Sequence, residues 1–503
     1  MKNKVTIINT ISSILLQIVT IISGFIIPRL LLETFGSNVN GLVSSLTQFL
    51  KYMELFEGGL SSVILANLYK PLREGDKKKV DSIICTTDRF YKKLSIMFIA
   101  YTIILAIIYP IIVKTSFSLA YISSLTLILS INLFCQYCFS ITWRTLLRAD
   151  KKVYYVSIVQ IIVIVLNTIG VAIGIKIFPN IHVIKIITSV VYLLQPILFN
   201  YYVKKHYDIN KNVEPDKNAL AQRWDGFGIN IAAFIHNNTD VVVLSVLSNL
   251  KNVSIYSVYY LVTSGLKSLI TSISAGIQPS LGHVYASGDK EELNKTFDMY
   301  EFIIYCATFF LFVVGGLCIT PFIQIYTKGV EDANYFQPAL GWIMILAEFV
   351  FCIREPYVNM AYCANKFKEV SKYAYVESVL NIVLSIILVW KFEIVGVAIS
   401  TFIAMLYRTI SHIIFLKDNI IKRDIIVTVK KFIAFAIPSI IIIILSNILF
   451  KFDNITVLAW IEYAIKNTIL AVIVYTIMIV MFYKDKVYQF YKKGENKWKN
   501  MMK

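Results

Sequence analysis

Residues 24–72 read GFIIPRLLLETFGSNVNGLVSSLTQFLKYMELFEGGLSSVILANLYKPL, and their reading decides the fold. The stretch closes one apolar helix, turns, and opens a second long helix. Lys51, Glu54 and Glu57 stand near the middle of that second helix. A charge at bilayer depth costs ~2.5–3.5 kcal/mol on insertion scales, so three charges within two turns must face protein or water. Ser44, Thr47, Gln48, Lys51 and Glu54 follow roughly the i, i+3, i+4, i+7 spacing of one helix face, while Val43, Leu46, Leu50, Met53 and Leu60 take the other sides. Two readings stand. Lys51 and Glu54 form a structural i,i+3 pair, or the wet face lines a polar cavity.

The surrounding chain is of the same kind. It has 503 residues, 57% of them hydrophobic and 16% charged, with a mean hydropathy of +0.67. That composition belongs to an all-α polytopic membrane protein and excludes a soluble domain. A span needs about 20 apolar residues. The run from Val5 exceeds a signal-peptide core and is read as a retained first helix. The net charge of +18 falls in short clusters between apolar runs, the pattern of membrane orientation and not of a nucleic-acid interface. The seven cysteines lie mostly inside apolar runs, as packing residues do. Cys135-Gln136-Tyr137-Cys138 has no second pair to complete a metal site.

Fourteen spans are predicted, at 5–31, 39–69, 90–113, 118–147, 153–177, 182–203, 227–249, 254–285, 299–326, 335–363, 370–390, 395–416, 427–450 and 458–482. Turns after odd-numbered spans are short and hold at most one lysine. Segments after even-numbered spans are basic, as in Lys77-Lys78-Lys79 and Lys151-Lys152. The alternation places both termini in the cytoplasm of a multi-pass cell-membrane protein. An internal repeat supports the count. Gly75-Asp76-Lys77 recurs as Gly288-Asp289-Lys290, Ala149-Asp150-Lys151 as Ala364-Asn365-Lys366, and Leu166-Asn167 as Leu380-Asn381. The expected organisation is a six-helix lobe (1–205), a cytoplasmic linker (206–225), a second, pseudo-symmetric six-helix lobe (226–417), and two extra helices with a basic tail (418–503). Such parallel halves are a transporter architecture.

The chain resembles the polysaccharide flippases of the multidrug/oligosaccharidyl-lipid/polysaccharide exporter superfamily. The resemblance rests on Ile27-Pro28-Arg29-Leu30-Leu31, Phe35-Gly36, Asn40-Gly41 and Glu57-Gly58-Gly59-Leu60, and on the 6 + 6 + 2 layout. It implies a V-shaped, MATE-like bundle that opens alternately to each side. It also implies a substrate built of an oligosaccharide on undecaprenyl pyrophosphate, moved from the inner to the outer leaflet for cell-surface polysaccharide biosynthesis. The partners implied are membrane lipids, a polysaccharide polymerase and glycosyltransferases. Peptidoglycan-precursor flippases and drug/cation antiporters share the fold, so fold alone does not choose the substrate.

A pyrophosphate calls for cations. Lys51 and Lys267 are candidates at depth, placed alike in the two repeats, and Arg29 lies near the outer end of span 1. Two mated lysines would meet one pyrophosphate from opposite sides, with Glu54 and Asp240 as resting anions. Glu54, Glu57, Asn237, Asp240, Arg354 and Glu355 are candidates for cavity lining or for coupling to H⁺ or Na⁺, and Glu348 and Glu377 are further acidic candidates. For each, a structural ion pair or interface anchor is the competing reading. Arg354-Glu355-Pro356 predicts a locally broken helix. His236 is a weak relay candidate, and His412 is expected to be solvated near a span end. With no P-loop, HExxH or Gly-x-Ser-x-Gly motif, and with short outer loops, an enzyme such as a glycan polymerase or ligase is disfavoured, and no cofactor beyond a coupling ion is implied. A multidrug antiporter is disfavoured by the central lysines.

Overall fold

The computed structural model describes residues 2–57, 60–210, 212–216 and 227–484. Gly58-Gly59, residues 211 and 217–226, the tail beyond 484, and the side chains of Asn230 and His236 lie outside that description. Every regular element among the described residues is helical. In chain order they are α1 (Lys2–Lys51), α2 (Glu54–Glu57), α3 (Leu60–Glu74), α4 (Lys77–Ile112), α5 (Leu119–Cys135), a π-helical turn (Gln136–Ser140), α6 (Ile141–Ala149), α7 (Val153–Ile177), α8 (Ile181–Tyr192), α9 (Leu194–His206), α10 (Phe227–Leu247), α11 (Leu250–Ser287), α12 (Lys290–Tyr326), α13 (Pro338–Cys363), α14 (Phe367–Asn419), α15 (Ile425–Leu449) and α16 (Val457–Phe482). They fall on the predicted spans. Among the described residues, nine helical segments are long and apolar enough to cross a membrane. α11 and α13, which carry Lys267, Glu348, Arg354 and Glu355, do not meet that apolar standard.

Two of the long helices each contain two spans. α1 is interrupted at Gly36, whose φ of 75° favours glycine. Ser37 then donates to Asp332 through both its backbone N–H, at 2.8 Å, and its hydroxyl, at 2.6 Å. α14 folds back at Glu393, at φ 47° and ψ −127°. Across that turn Ser385 bonds Ser400 at 2.5 Å and Asn381 bonds Thr401 at 2.8 Å, the pairing of an antiparallel helical hairpin.

The sequence repeat has a structural counterpart at the helix ends. Lys151 and Asn365 both have positive φ, at 60° and 55°. Lys152 N–H reaches Leu147 O at 2.8 Å, and Lys366 N–H reaches Ala361 O at 2.9 Å. These are Schellman-type C-caps, each bond 214 residues from its mate. Likewise Gly75 and Gly288 take positive φ. Asp76 then caps α4 by accepting from Lys79 N–H, and Asp289 caps α12 by accepting from Glu291 and Glu292 N–H.

The chain forms two compact units. One comprises Met1–Ser257 with Gly329–Ala333; the other comprises Val258–Lys328 with Asn334–Lys503. The first has a core of α1, α3–α7 and α9 side chains that includes Leu42, Leu46, Leu50, Tyr91, Phe98, Tyr109 and Phe199. In the second, α15 and α16 pack on α12 through Phe302, Tyr305, Phe309, Phe435 and Tyr475. A buried ion cluster fixes α15 there. Glu301 of α12 accepts from Arg423 Nη2 at 2.6 Å and pairs with Lys431, while Asp298 takes Lys431 Nζ at 2.7 Å.

Within the first unit, α1 crosses the start of α11 at backbone distance. A Cβ on Gly41 would stand 1.8 Å from Leu250 O, and backbone cannot yield as a flexible side chain does. Nothing lies within 4 Å of a Cβ on Gly276. Gly41→Ala should therefore destabilise the protein by about 1–3 kcal/mol through overpacking. Gly276→Ala should stabilise it by roughly 0.5–1 kcal/mol, the ordinary helical gain. Thermal unfolding in detergent measures both, and a stabilised Gly41→Ala variant would refute the close crossing.

Candidate functional site

In the first unit the helix of span 2 stops at Lys51. Met53, Leu55 and Phe56 follow with N–H bonds to the carbonyls of Leu50, Tyr52 and Met53, each three residues back. The α-helical ladder is interrupted at Tyr52–Met53, between Lys51 and Glu54. The expected Lys51–Glu54 ion pair does not close. Among the described residues, no carboxylate lies within ion-pair distance of Lys51, which is half-buried. Glu54 is exposed. Glu57 accepts from Ser61 Oγ at 2.5 Å and Tyr91 OH at 3.0 Å.

α10 packs beside this break. Tyr52 meets Phe234 edge-to-face at 5.0 Å. One and a half turns further, Asp240 is buried and accepts the hydroxyl of Tyr256. Asn237 is exposed and Asn238 buried, its Nδ2 bonded to Phe234 O at 2.8 Å. Thus Lys51, Tyr52, Asn237 and Asp240 lie on two elements that touch. Arg29 sits apart in span 1, 3.5 Å from Glu33.

The second unit holds a continuous run of buried charge. Lys267 Nζ of α11 pairs with Glu348 Oε1 of α13 at 2.9 Å, both nearly buried. Lys267 also stands 4.9 Å from the centre of the Phe351 ring. The Arg354 guanidinium stands 4.7 Å from the same ring. One aromatic therefore contacts two cations. Arg354 lies 3.5 Å from Glu377, whose other oxygen takes Arg408 Nη1 at 2.5 Å. His412 follows one turn on. It is buried and donates its Nδ1–H to Arg408 O at 2.8 Å, so the expected solvated role gives way to a packed one. Glu355 accepts from Ser274 Oγ at 3.0 Å and Asn359 Nδ2 at 3.3 Å. Ser274 in turn bonds Tyr300 OH at 2.5 Å. A Ser–Tyr pair on a carboxylate thus occurs in both units: Ser61–Tyr91 with Glu57, and Ser274–Tyr300 with Glu355.

α13 runs unbroken through Arg354-Glu355-Pro356, contrary to the expected break. The two charges find partners on α14 and α11. Glu348 and Glu377, acidic candidates in the sequence, complete these contacts, as do Arg408 and Tyr256, which sequence reasoning missed. The Lys267–Glu348, Glu377–Arg408 and Asp240–Tyr256 pairs join residues 81, 31 and 16 apart, and no local spacing encodes them.

No protein-family model matches the chain, and no curated protein does so significantly. Solved structures do. A lipid II flippase MurJ in an inward closed conformation superposes with a TM-score of 0.75 at 16% identity, over 96% of this chain and 100% of that one. The MATE multidrug transporter DinF-BH gives 0.60 at 15%, over 82% and 95%. An inward-facing MATE family transporter of the MOP superfamily gives 0.59 at 13%, over 80% and 93%. The fold is therefore the all-helical, multi-pass membrane architecture common to MurJ and the MATE transporters of the MOP superfamily.

Removing one member of a buried ion pair strands the other, at a cost of about 3–5 kcal/mol. Lys267→Gln and Glu348→Gln should each lower thermal stability by that order, and the double variant should recover most of it. A double variant as unstable as the worse single would show that the two side chains do not act as a pair.

Proposed function

We propose that this protein flips an undecaprenyl-pyrophosphate-linked oligosaccharide from the inner to the outer leaflet. The observation that supports this most is Lys51, a half-buried cation in a span with no carboxylate at ion-pair distance among the described residues. A lone ammonium there is costly unless an anion visits it. A pyrophosphate supplies that anion, and the glycan supplies hydroxyls for the polar side chains near Lys51. Lys267 is the second proposed contact, exchanging Glu348 for phosphate oxygen when substrate arrives. Arg29, Glu54, Glu57, Asn237, Arg354 and Glu355 are proposed to line or hold the route. Asp240, held by Tyr256, is the proposed coupling group for H⁺ or Na⁺. Alternating exposure of the route to the two sides would move the head group while the polyprenyl tail stays in lipid.

A second reading, a peptidoglycan lipid-precursor flippase, is favoured by the likeness to the lipid II flippase, whose whole length is covered. Both substrates present a polyprenyl pyrophosphate, so the cation chemistry is the same and the glycan differs. A drug/cation antiporter would use carboxylates and has no need of Lys51.

In a strain depleted of the protein, the lipid-linked species that accumulates identifies the substrate by mass spectrometry: a polysaccharide repeat unit for the first reading, a peptidoglycan precursor for the second. Lys51→Gln and Lys267→Gln at normal abundance should each reduce export severalfold, the double change more. Arg at either position should retain more activity than Gln. Asp240→Asn should blunt the dependence on the ion gradient. Full export by the double Gln variant would remove both lysines from the mechanism.

A further inference from the structure

The first unit contains a cavity of about 390 Å³ that the proposed translocation route does not use. Its size falls in the range of small-molecule sites. Two backbone irregularities edge it. One is the π-helical turn Gln136–Ser140, which contributes Cys138 and Phe139. The other is the junction of α8 and α9 at Leu193, followed by Pro196. π-turns recur at functional sites because the extra residue pushes side chains out of the helical pattern. Here the lining is mixed. Trp143, Leu193 and Pro196 form apolar wall, and Phe139 and Ile197 are exposed at the edge. Lys92, Asp88 and Asn200 give it a polar end.

That polar end is cationic. Lys92 Nζ bonds Asp88 at 2.9 Å, yet the lysine side chain stays 55% exposed while the aspartate is 12% exposed. One of three ammonium donors is used. Arg89 and Lys93 are exposed at i−3 and i+1 from Lys92 on the same helix, so Asp88 offsets one of three positive charges. An apolar chamber beside a positive rim near the start of the predicted span 90–113 suits an amphiphile with an anionic head. Basic pockets between membrane helices on the cytoplasmic side bind such head groups, and a tryptophan at that level is a usual interface anchor.

We propose that this cavity binds an anionic glycerophospholipid of the host membrane, with an acyl chain against Trp143, Phe139 and Ile197 and its phosphate at Lys92. The site lies wholly within the first unit and is independent of the flippase reading.

The test uses the full chain with Trp143 as sole tryptophan, the other five changed to Phe, in phosphatidylcholine vesicles. Phosphatidylglycerol brominated on its acyl chains, present as a minor fraction, should quench Trp143 more than the same fraction of brominated phosphatidylcholine. Lys92→Gln should abolish the difference. Asp88→Asn should enlarge it, a sign that a purely structural Asp88–Lys92 pair would not give. Equal quenching by the two lipids would overturn head-group recognition, and absence of quenching by both would overturn acyl occupancy. Should the single-tryptophan chain fail to fold, the wild-type protein serves. Phosphatidylglycerol, and not phosphatidylcholine, should slow maleimide labelling of Cys138, read by peptide mass spectrometry. Equal labelling in the two lipids would overturn the proposal.

Discussion

Charge in a low-dielectric span must be answered locally, and that constraint organises the second unit. A lone buried ion is penalised by several kcal/mol, and only a well-placed opposite charge with further hydrogen bonds offsets it. Glu377 sits between Arg354 and Arg408, Lys267 sits on Glu348, and Glu301 is shared by Arg423 and Lys431. These contacts tie α11, α13 and α14 together in one case and α12 to α15 in the other. Lys51 stands outside this rule. Its helix ends beneath it, Glu54 forms no ion pair with it, and among the described residues no carboxylate takes its place. On the proposed reading, that exception leaves Lys51 available to an anionic head group.

Repetition supplies the scaffold. The C-caps at Lys151 and Asn365, and the glycine–aspartate corners at Gly75 and Gly288, are the same local solutions used twice. A positive-φ residue ends one helix and a polar cap starts the next. Chemistry has diverged over this shared frame. Ser61–Tyr91 and Ser274–Tyr300 look alike, but their carboxylates come from different spans, and the lysines at 51 and 267 have different electrostatic surroundings.

Much of the fold was legible in the sequence. Apolar runs of span length, basic segments on alternate turns, and the triplets at Gly75 and Gly288 led to an all-helical, repeated, multi-pass architecture, and the fold seen is that of MurJ and MATE transporters. The candidate site was legible in part. Charges in apolar runs singled out Lys51, Asp240, Lys267, Arg354 and Glu355 because such charges are rare at depth. Their partners were not legible. Lys267 and Glu348 are joined by helix packing over 81 residues, and no local spacing encodes that. The i,i+3 pair of Lys51 and Glu54 failed for another reason, since local spacing assumed one continuous helix where the chain breaks at Tyr52–Met53. His412 was misjudged because nearness to a span end does not fix exposure when Arg408 and Tyr373 pack beside it.

The central claim is that this chain moves a pyrophosphate-linked glycolipid across a bilayer without ATP. Purified protein in sealed vesicles, loaded with a fluorescent polyprenyl-pyrophosphate oligosaccharide, tests it through a membrane-impermeant quencher. The account predicts that quenchable signal rises beyond the fraction initially in the outer leaflet, at a rate that increases with protein content and falls with Lys51→Gln. Signal fixed at the outer-leaflet fraction, in vesicles where the protein is folded and inserted, would contradict it.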